Sequence, residues 1–229
     1  MNILALDTSM GACSAAVLCA GGDTRALFAR YEAMPRGHAE ALMPMVEEVM
    51  AEAGIAASDL EVIAATLGPG SFTGVRIAIA AARGLALVTQ ARLFGADSLT
   101  VMARAARMGG ATPKAPFAVA VDARRGMLYF ASFGETGQKL EGPLLVSPDD
   151  AAALLPDDLR LAVGNGATLL AAAARKLGRD VETALIDLQP HAAALAELAH
   201  ESGETSVSLR PLYLRPPDAK PQAAGIARQ

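Results

Sequence analysis

Two aspartates end apolar runs in this chain: Asn2–Leu6 leads into Asp7, and Phe117–Val121 leads into Asp122. An acid at the carboxyl end of a strand lies where open α/β sheets take their ligands. There it can hold a metal through water while backbone N–H groups hold phosphates. The same residue type also caps turns, so the residues alone leave both roles open. A third stretch, Leu67-Gly68-Pro69-Gly70-Ser71-Phe72-Thr73-Gly74-Val75-Arg76, follows a strand-like run at Val62–Thr66 and opens an alanine-rich helix reaching Gln90. A strand, a glycine loop and a helix N-terminus suit either anion binding or very close packing. Gly68 and Gly70 open backbone angles closed to other residues, and Ser71 or Thr73 can cap the helix. A phosphate loop of the Walker type ends in Gly-Lys-Ser/Thr, whereas Val75 and Arg76 follow Gly74 here. The helix carries Gly74, Ala78, Ala80, Ala81, Ala82, Gly84 and Ala86. Such small residues let backbones approach, so the loop is expected to be a packing joint.

Other catalytic chemistry finds little support. His38, His191 and His200 show no metal-ligand spacing, and Gly70-Ser71-Phe72-Thr73-Gly74 is not the Gly-x-Ser-x-Gly of a serine nucleophile. Cys13 and Cys19 form no Cys-x-x-Cys pair and read as small buried residues. With 229 residues, a net charge of −4 and no long basic run, tight direct binding of RNA or DNA is not expected from charge. The apolar N-terminus lacks a basic leader segment, and Arg76 and Arg83 interrupt the most apolar helix. Neither a signal peptide nor a membrane span is expected, and a cytoplasmic location follows as the expectation.

These residues sit in a repeating order. Asn2–Leu6, Ser14–Cys19 and Thr24–Tyr31 read as three strands, with Gly21-Gly22-Asp23 as a hairpin turn. His38–Ala53 is a helix with Leu42, Met45, Val46, Val49 and Met50 on one face, stopped by Gly54. The strand at Val62, the alanine-rich helix, the strand Leu93–Ala96 and a helix from Ser98 to Met108 complete a βββαβαβα half. After the linker 109–114 the pattern restarts. Strands are expected at Phe117–Val121, Met127–Phe133, Leu144–Val146, Leu161–Val163 and Thr183–Ile186, with helices at Pro148–Leu155, Ala167–Leu177 and His191–Glu201. Two similar α/β halves are expected, at 1–108 and 109–215. Leu209–Arg215 is expected to be strand-like, and the proline-containing tail 216–229 disordered.

Several of these motifs together resemble the TsaB (YeaZ) family: Met1–Ser9, His38–Pro44, Gly68–Ile77, Asp122–Gly126 and Pro211–Arg215. The similarity runs over nearly the whole chain and is densest before residue 100, and the Gly68–Arg76 run is its most specific part. The resemblance implies an α/β fold of the actin-like ATPase (ASKHA) class, with two RNase-H-like βββαβα subdomains. It also implies a role in making threonylcarbamoyladenosine beside the anticodon of tRNAs that read ANN codons. In that family TsaB is the non-catalytic partner of TsaD, which transfers the threonylcarbamoyl group, and the ATPase TsaE joins them. TsaD carries a His-x-x-x-His metal pair. The corresponding stretch here, Ala96–Met102, has no histidine, which argues against this chain being the transferase.

By the same resemblance the TsaD contact, or a homodimer when the chain is alone, uses the first two helices. That assigns His38, Leu42, Met45, Val46 and Val49 on one, and Thr73, Arg76, Ile77, Ala80, Ala81 and Gly84 on the other. In an actin-like fold Asp7, Thr8, Ser9, Asp122 and Arg124 would face a nucleotide cleft, with Gly164-Asn165-Gly166 as an adenosine-side loop. That cleft is expected to be degenerate, and ATP or ADP with magnesium belongs by analogy to the TsaB–TsaD–TsaE junction. Contact with tRNA is expected only through the complex. A stand-alone ATP-dependent kinase or hydrolase of the same fold is the competing reading.

Overall fold

The computed structural model describes residues 1–22, 24–110, 115–203 and 208–215. The first half opens with strands β1 (Asn2–Asp7), β2 (Ala12–Gly21) and β3 (Thr24–Ala33). Helix α1 (His38–Ala53), strand β4 (Val62–Thr66), helix α2 (Phe72–Thr89), strand β5 (Arg92–Ala96) and helix α3 (Ser98–Met108) follow. The second half repeats the order with β6 (Phe117–Asp122), β7 (Leu128–Phe133), β8 (Lys139–Val146), α4 (Pro148–Ala153), β9 (Leu161–Val163), α5 (Ala167–Lys176), β10 (Glu182–Ala184) and α6 (Ala192–Ser202). Each half forms a five-stranded sheet of one order: β3-β2-β1-β4-β5, and β8-β7-β6-β9-β10. In both, the first three strands are antiparallel and the last two run parallel to the first.

Both central strands are apolar on two faces because side chains alternate across a strand and each face meets helices. Leu4 and Leu6 of β1 pack with α1 and α2, while Ile3 and Ala5 point to α6. Ala118 and Ala120 of β6 pack with α4 and α5, while Phe117, Val119 and Val121 point to α3. The helix that closes each half therefore covers the other half's sheet. Ion pairs tie the exchange together: Arg104 of α3 pairs with Glu197 and Glu201 of α6, and Lys139 of β8 with Asp97 before α3.

Most element ends fall within one or two residues of expectation, and three differences bear on the fold. β8 is longer than Leu144–Val146, because Lys139 and Glu141 pair with β7 upstream of Pro143. β10 stops at Ala184, where Leu185 turns to φ 48°. Leu209–Arg215 forms no strand and joins neither sheet, since Pro211 lacks a donor and the segment crosses over α2 instead, bending at Leu214 and Arg215. Residues 111–114 of the linker, Asp23 of the hairpin and the tail 216–229 lie outside the described residues.

Candidate functional site

The loop between β4 and α2 is a joint made by contact. Ser71 caps α2, its hydroxyl accepting from Gly74 N at 3.3 Å, and its own N–H donates to Ser9 O at 2.8 Å. Thr8 Oγ1 donates to Gly74 O at 2.6 Å and accepts from Ala78 N at 3.1 Å. A β-carbon on Gly70 or Gly74 would lie 2.1 Å from a carbonyl oxygen, of Ser9 or Thr8 respectively. Only glycine fits at either position. The β1 turn and the α2 N-terminus are thus pressed backbone to backbone, and Asp7, Thr8 and Ser9 are each 0% exposed.

This closure changes Asp7. Its Oδ1 accepts from the Ser9 hydroxyl at 2.7 Å, while Oδ2 and the Thr66 hydroxyl are buried without a well-formed partner. Burial pushes the carboxyl above its ordinary 3.8, and the bonds from Ser9 pull back less strongly. The acid is sealed, and its bonds are spent on Ser9 in its own turn, while Thr8 bonds to α2. These residues do not fit a magnesium-bound nucleotide, whose oxygens would need the space that the joint fills.

The second half has an equivalent joint. Gly164-Asn165-Gly166 leads from β9 into α5 as Gly68–Ser71 leads from β4 into α2. A β-carbon on Gly164 would meet Ala120 O at 2.5 Å, and one on Gly166 would meet Leu128 Cδ2 at 2.7 Å. Asn165 Oδ1 accepts from Asp122 N at 2.8 Å, and Asp122 Oδ1 accepts from Arg124 N at 2.7 Å. The cleft residues divide accordingly. Asp7, Thr8, Ser9, Gly164 and Gly166 are buried, Asp122 is half-buried, and Arg124 and Asn165 reach the surface. Among the described residues no group of three or more His, Cys, Asp or Glu is placed to hold a metal ion.

The helices assigned to a partner also divide. Leu42, Met45, Val46 and Val49 of α1 are buried in the first core against their own sheet. That corrects their assignment as contact residues: the amphipathic stripe is used internally, where each fully buried side chain contributes about 1.5–3 kcal/mol. His38 is half-buried, its Nε2 lying 3.0 Å from Met10 O, so it ties the start of α1 to the β1–β2 turn. On α2, Gly74, Val75, Ala78, Ile79 and Ala82 face inward, and Ile77 and Ala81 pack partly against the core. Thr73, Arg76, Ala80 and Gly84 face outward at helical spacing, continued by Leu87 and Val88 at 77% and 82% exposure. A β-carbon on Gly84 would meet nothing within 4 Å. Leu87 and Val88 were not singled out from the sequence, because two apolar residues at the end of an apolar helix carry no pattern of their own. The helix is long and apolar enough to cross a membrane by length and composition, but its inner face is committed to the sheet.

Two five-stranded sheets of one order, each covered by the other half's closing helix, define the actin-like class of two RNase-H-like halves. The comparisons agree. The solved structure of YeaZ from Pseudomonas aeruginosa superposes with a TM-score of 0.79 at 32% identity, covering 93% of this chain and 99% of that one. The chain is 31% identical to the tRNA threonylcarbamoyladenosine biosynthesis protein TsaB of Haemophilus influenzae, over 94% of each. It is 37% identical to TsaB of Escherichia coli over 69% of this chain and 64% of that protein, just under two thirds of the latter. The family profile described as "TsaD: tRNA N6-adenosine threonylcarbamoyltransferase" matches residues 32–198. The chain belongs to the TsaB (YeaZ) family.

Proposed function

We propose that this chain is a non-catalytic subunit in the synthesis of threonylcarbamoyladenosine in tRNA, and that it docks the transferase TsaD on the outer face of α2. One observation carries the reading: an exposed apolar stripe runs down α2, with open space at Gly84 and with Leu87 and Val88 almost fully in solvent. A glycine inside a helix costs about 1 kcal/mol relative to alanine, and here nothing within the chain requires it. Close approach of a second helix would require it. The names of the relatives supply the pathway, and the sealed Asp7 supports a subunit that leaves the chemistry to its partner. TsaE joins the assembly in this reading, and tRNA is met within the complex.

Co-purification with TsaD, followed by reconstitution of tRNA modification with TsaD and TsaE, tests the proposal. Leu87→Glu with Val88→Glu should abolish co-elution and modification while leaving the melting transition intact. Undiminished co-elution of that variant would overturn the assignment.

A further inference from the structure

The segment 208–215 forms a strap across the molecule. Leu209 is buried in the first core, and its carbonyl accepts from the Arg83 guanidinium. Leu212 N donates to Leu67 O at 2.7 Å, and Tyr213 stacks on Phe72 with ring centroids 5.2 Å apart. Arg215 Nη2 then reaches Arg124 O, 3.4 Å away, on the β6–β7 hairpin of the other half. The strap thus lays its own arginines beside those of α2 and of the hairpin.

The charge along this path is one-sided. Residues 72–89, 122–127 and 208–215 hold six arginines (Arg76, Arg83, Arg124, Arg125, Arg210 and Arg215) against one carboxylate, Asp122, in a chain of net charge −4. Four of the six are steered by neutral oxygens. Arg76 donates to the Tyr213 hydroxyl at 2.8 Å, Arg83 to Leu209 O, Arg210 to the Ser208 hydroxyl at 3.4 Å, and Arg215 to Arg124 O. Elsewhere Arg30 pairs with Glu48 and Glu52 and Arg104 with Glu201, while Arg107, Arg160 and Arg179 also donate to backbone carbonyls; what sets the strip apart is that its arginines are gathered on one path with Asp122, 3.9 Å from Arg124, as the one carboxylate among them. A neutral acceptor orients a guanidinium and leaves its charge uncompensated, available for a phosphate fork. Two further features suit a nucleic acid. Phe72 and Tyr213 are 47% and 41% exposed beside Arg76, whose guanidinium lies 3.8 Å from the Phe72 ring centre. Arg124 and Arg125 hold left-handed backbone angles of 64° and 57°, a strained conformation for long side chains at a hairpin tip.

We propose that the strap, the hairpin tip and the N-terminal end of α2 form a phosphate-binding strip for the backbone of an RNA, the tRNA brought to the complex. This rests on the function proposed above and adds direct RNA contact by this subunit, which the acidic composition alone argues against. An acidic protein surface would also be attracted to arginines, but the exposed rings beside Arg76 favour a partner with bases to stack.

The test uses an unmodified tRNA transcript as probe. Its affinity is measured against salt concentration for the full chain and for its complex with TsaD. Arg210→Gln with Arg215→Gln should lower the slope of log affinity against log salt by about 1.5, which is ~30-fold in affinity near ~0.1 M salt. The double lysine variant should keep the slope, because phosphate neutralisation needs the charge whereas a packing role would not be rescued. An unchanged slope in the glutamine variant, with tRNA modification still dependent on this chain, would overturn the strip and leave the proposed function standing. Loss of TsaD co-elution with an unchanged slope would make the strip a protein contact and would also overturn it. A lowered slope in a chain that has no effect on modification would leave the strip standing and sink the proposed function.

Discussion

Replacing Gly84 by alanine should move two measurements in opposite directions. In the isolated chain the new methyl enters open space, since a β-carbon there meets nothing within 4 Å. It removes the backbone freedom of a glycine in the middle of an 18-residue helix, which is worth about 0.8–1 kcal/mol. For a chain of this size that corresponds to a rise of ~2–4 °C in melting temperature. In the complex the same methyl falls where the proposed interface brings two helices together. Overpacking at such a contact costs about 1–3 kcal/mol, a loss of roughly 5- to 150-fold in affinity. The assay is calorimetric melting of the chain at several concentrations, so that self-association is separated from folding, together with titration of TsaD into wild type and variant. If the isolated variant melts lower, position 84 is not open and the argument fails at its first step. If it melts higher and binds TsaD as wild type does, the glycine is no contact and the interface lies elsewhere.

Gly74→Ala, ten residues earlier on the same helix, should do the reverse: its β-carbon would lie 2.1 Å from Thr8 O. The joint must open, and a loss of about 1–3 kcal/mol or more is expected in chemical denaturation; a neutral result would mean that the joint is soft. Asp7→Asn probes the sealed acid. The folded carboxyl sits above 3.8, so the native chain binds that proton more tightly and loses stability as pH rises from 3.8 through the raised value. The variant lacks this loss, and its advantage over wild type in thermal melts should widen from acid towards neutral pH; a difference independent of pH would refute the burial argument. His191 is held below 6.5 by burial, and its Nδ1 accepts from Ala193 N at 3.0 Å as the cap of α6. Its contribution is present above 6.5 and is lost as pH falls through the lowered folded value. His191→Asn keeps a capping oxygen and should flatten that acid limb of the stability profile; an unchanged limb would assign it to another group.

The element order was legible because alternation, helical spacing and glycine stops are local signals, and α1 begins and ends where His38 and Gly54 indicate. The joint was legible in kind, from a glycine loop without a lysine. Its consequence for Asp7 was not, because sealing that acid takes Gly70, Gly74 and Ser98, from segments distant in sequence, packed onto Thr8 and Ser9. The apolar stripe of α1 shows the limit most clearly. Spacing identifies one face of a helix as buried, but a sheet within the chain and a helix from a partner leave the same pattern of residues. What separates the two uses is exposure, which spacing does not contain. Gly74 and Gly84 make the same point within one helix. They are one residue type ten positions apart, and one is a necessity of folding while the other is superfluous to it. A residue that folding does not need and that costs stability is the kind of residue a binding surface explains. By that argument the proposed docking face is the outward face of α2 rather than the buried stripe of α1.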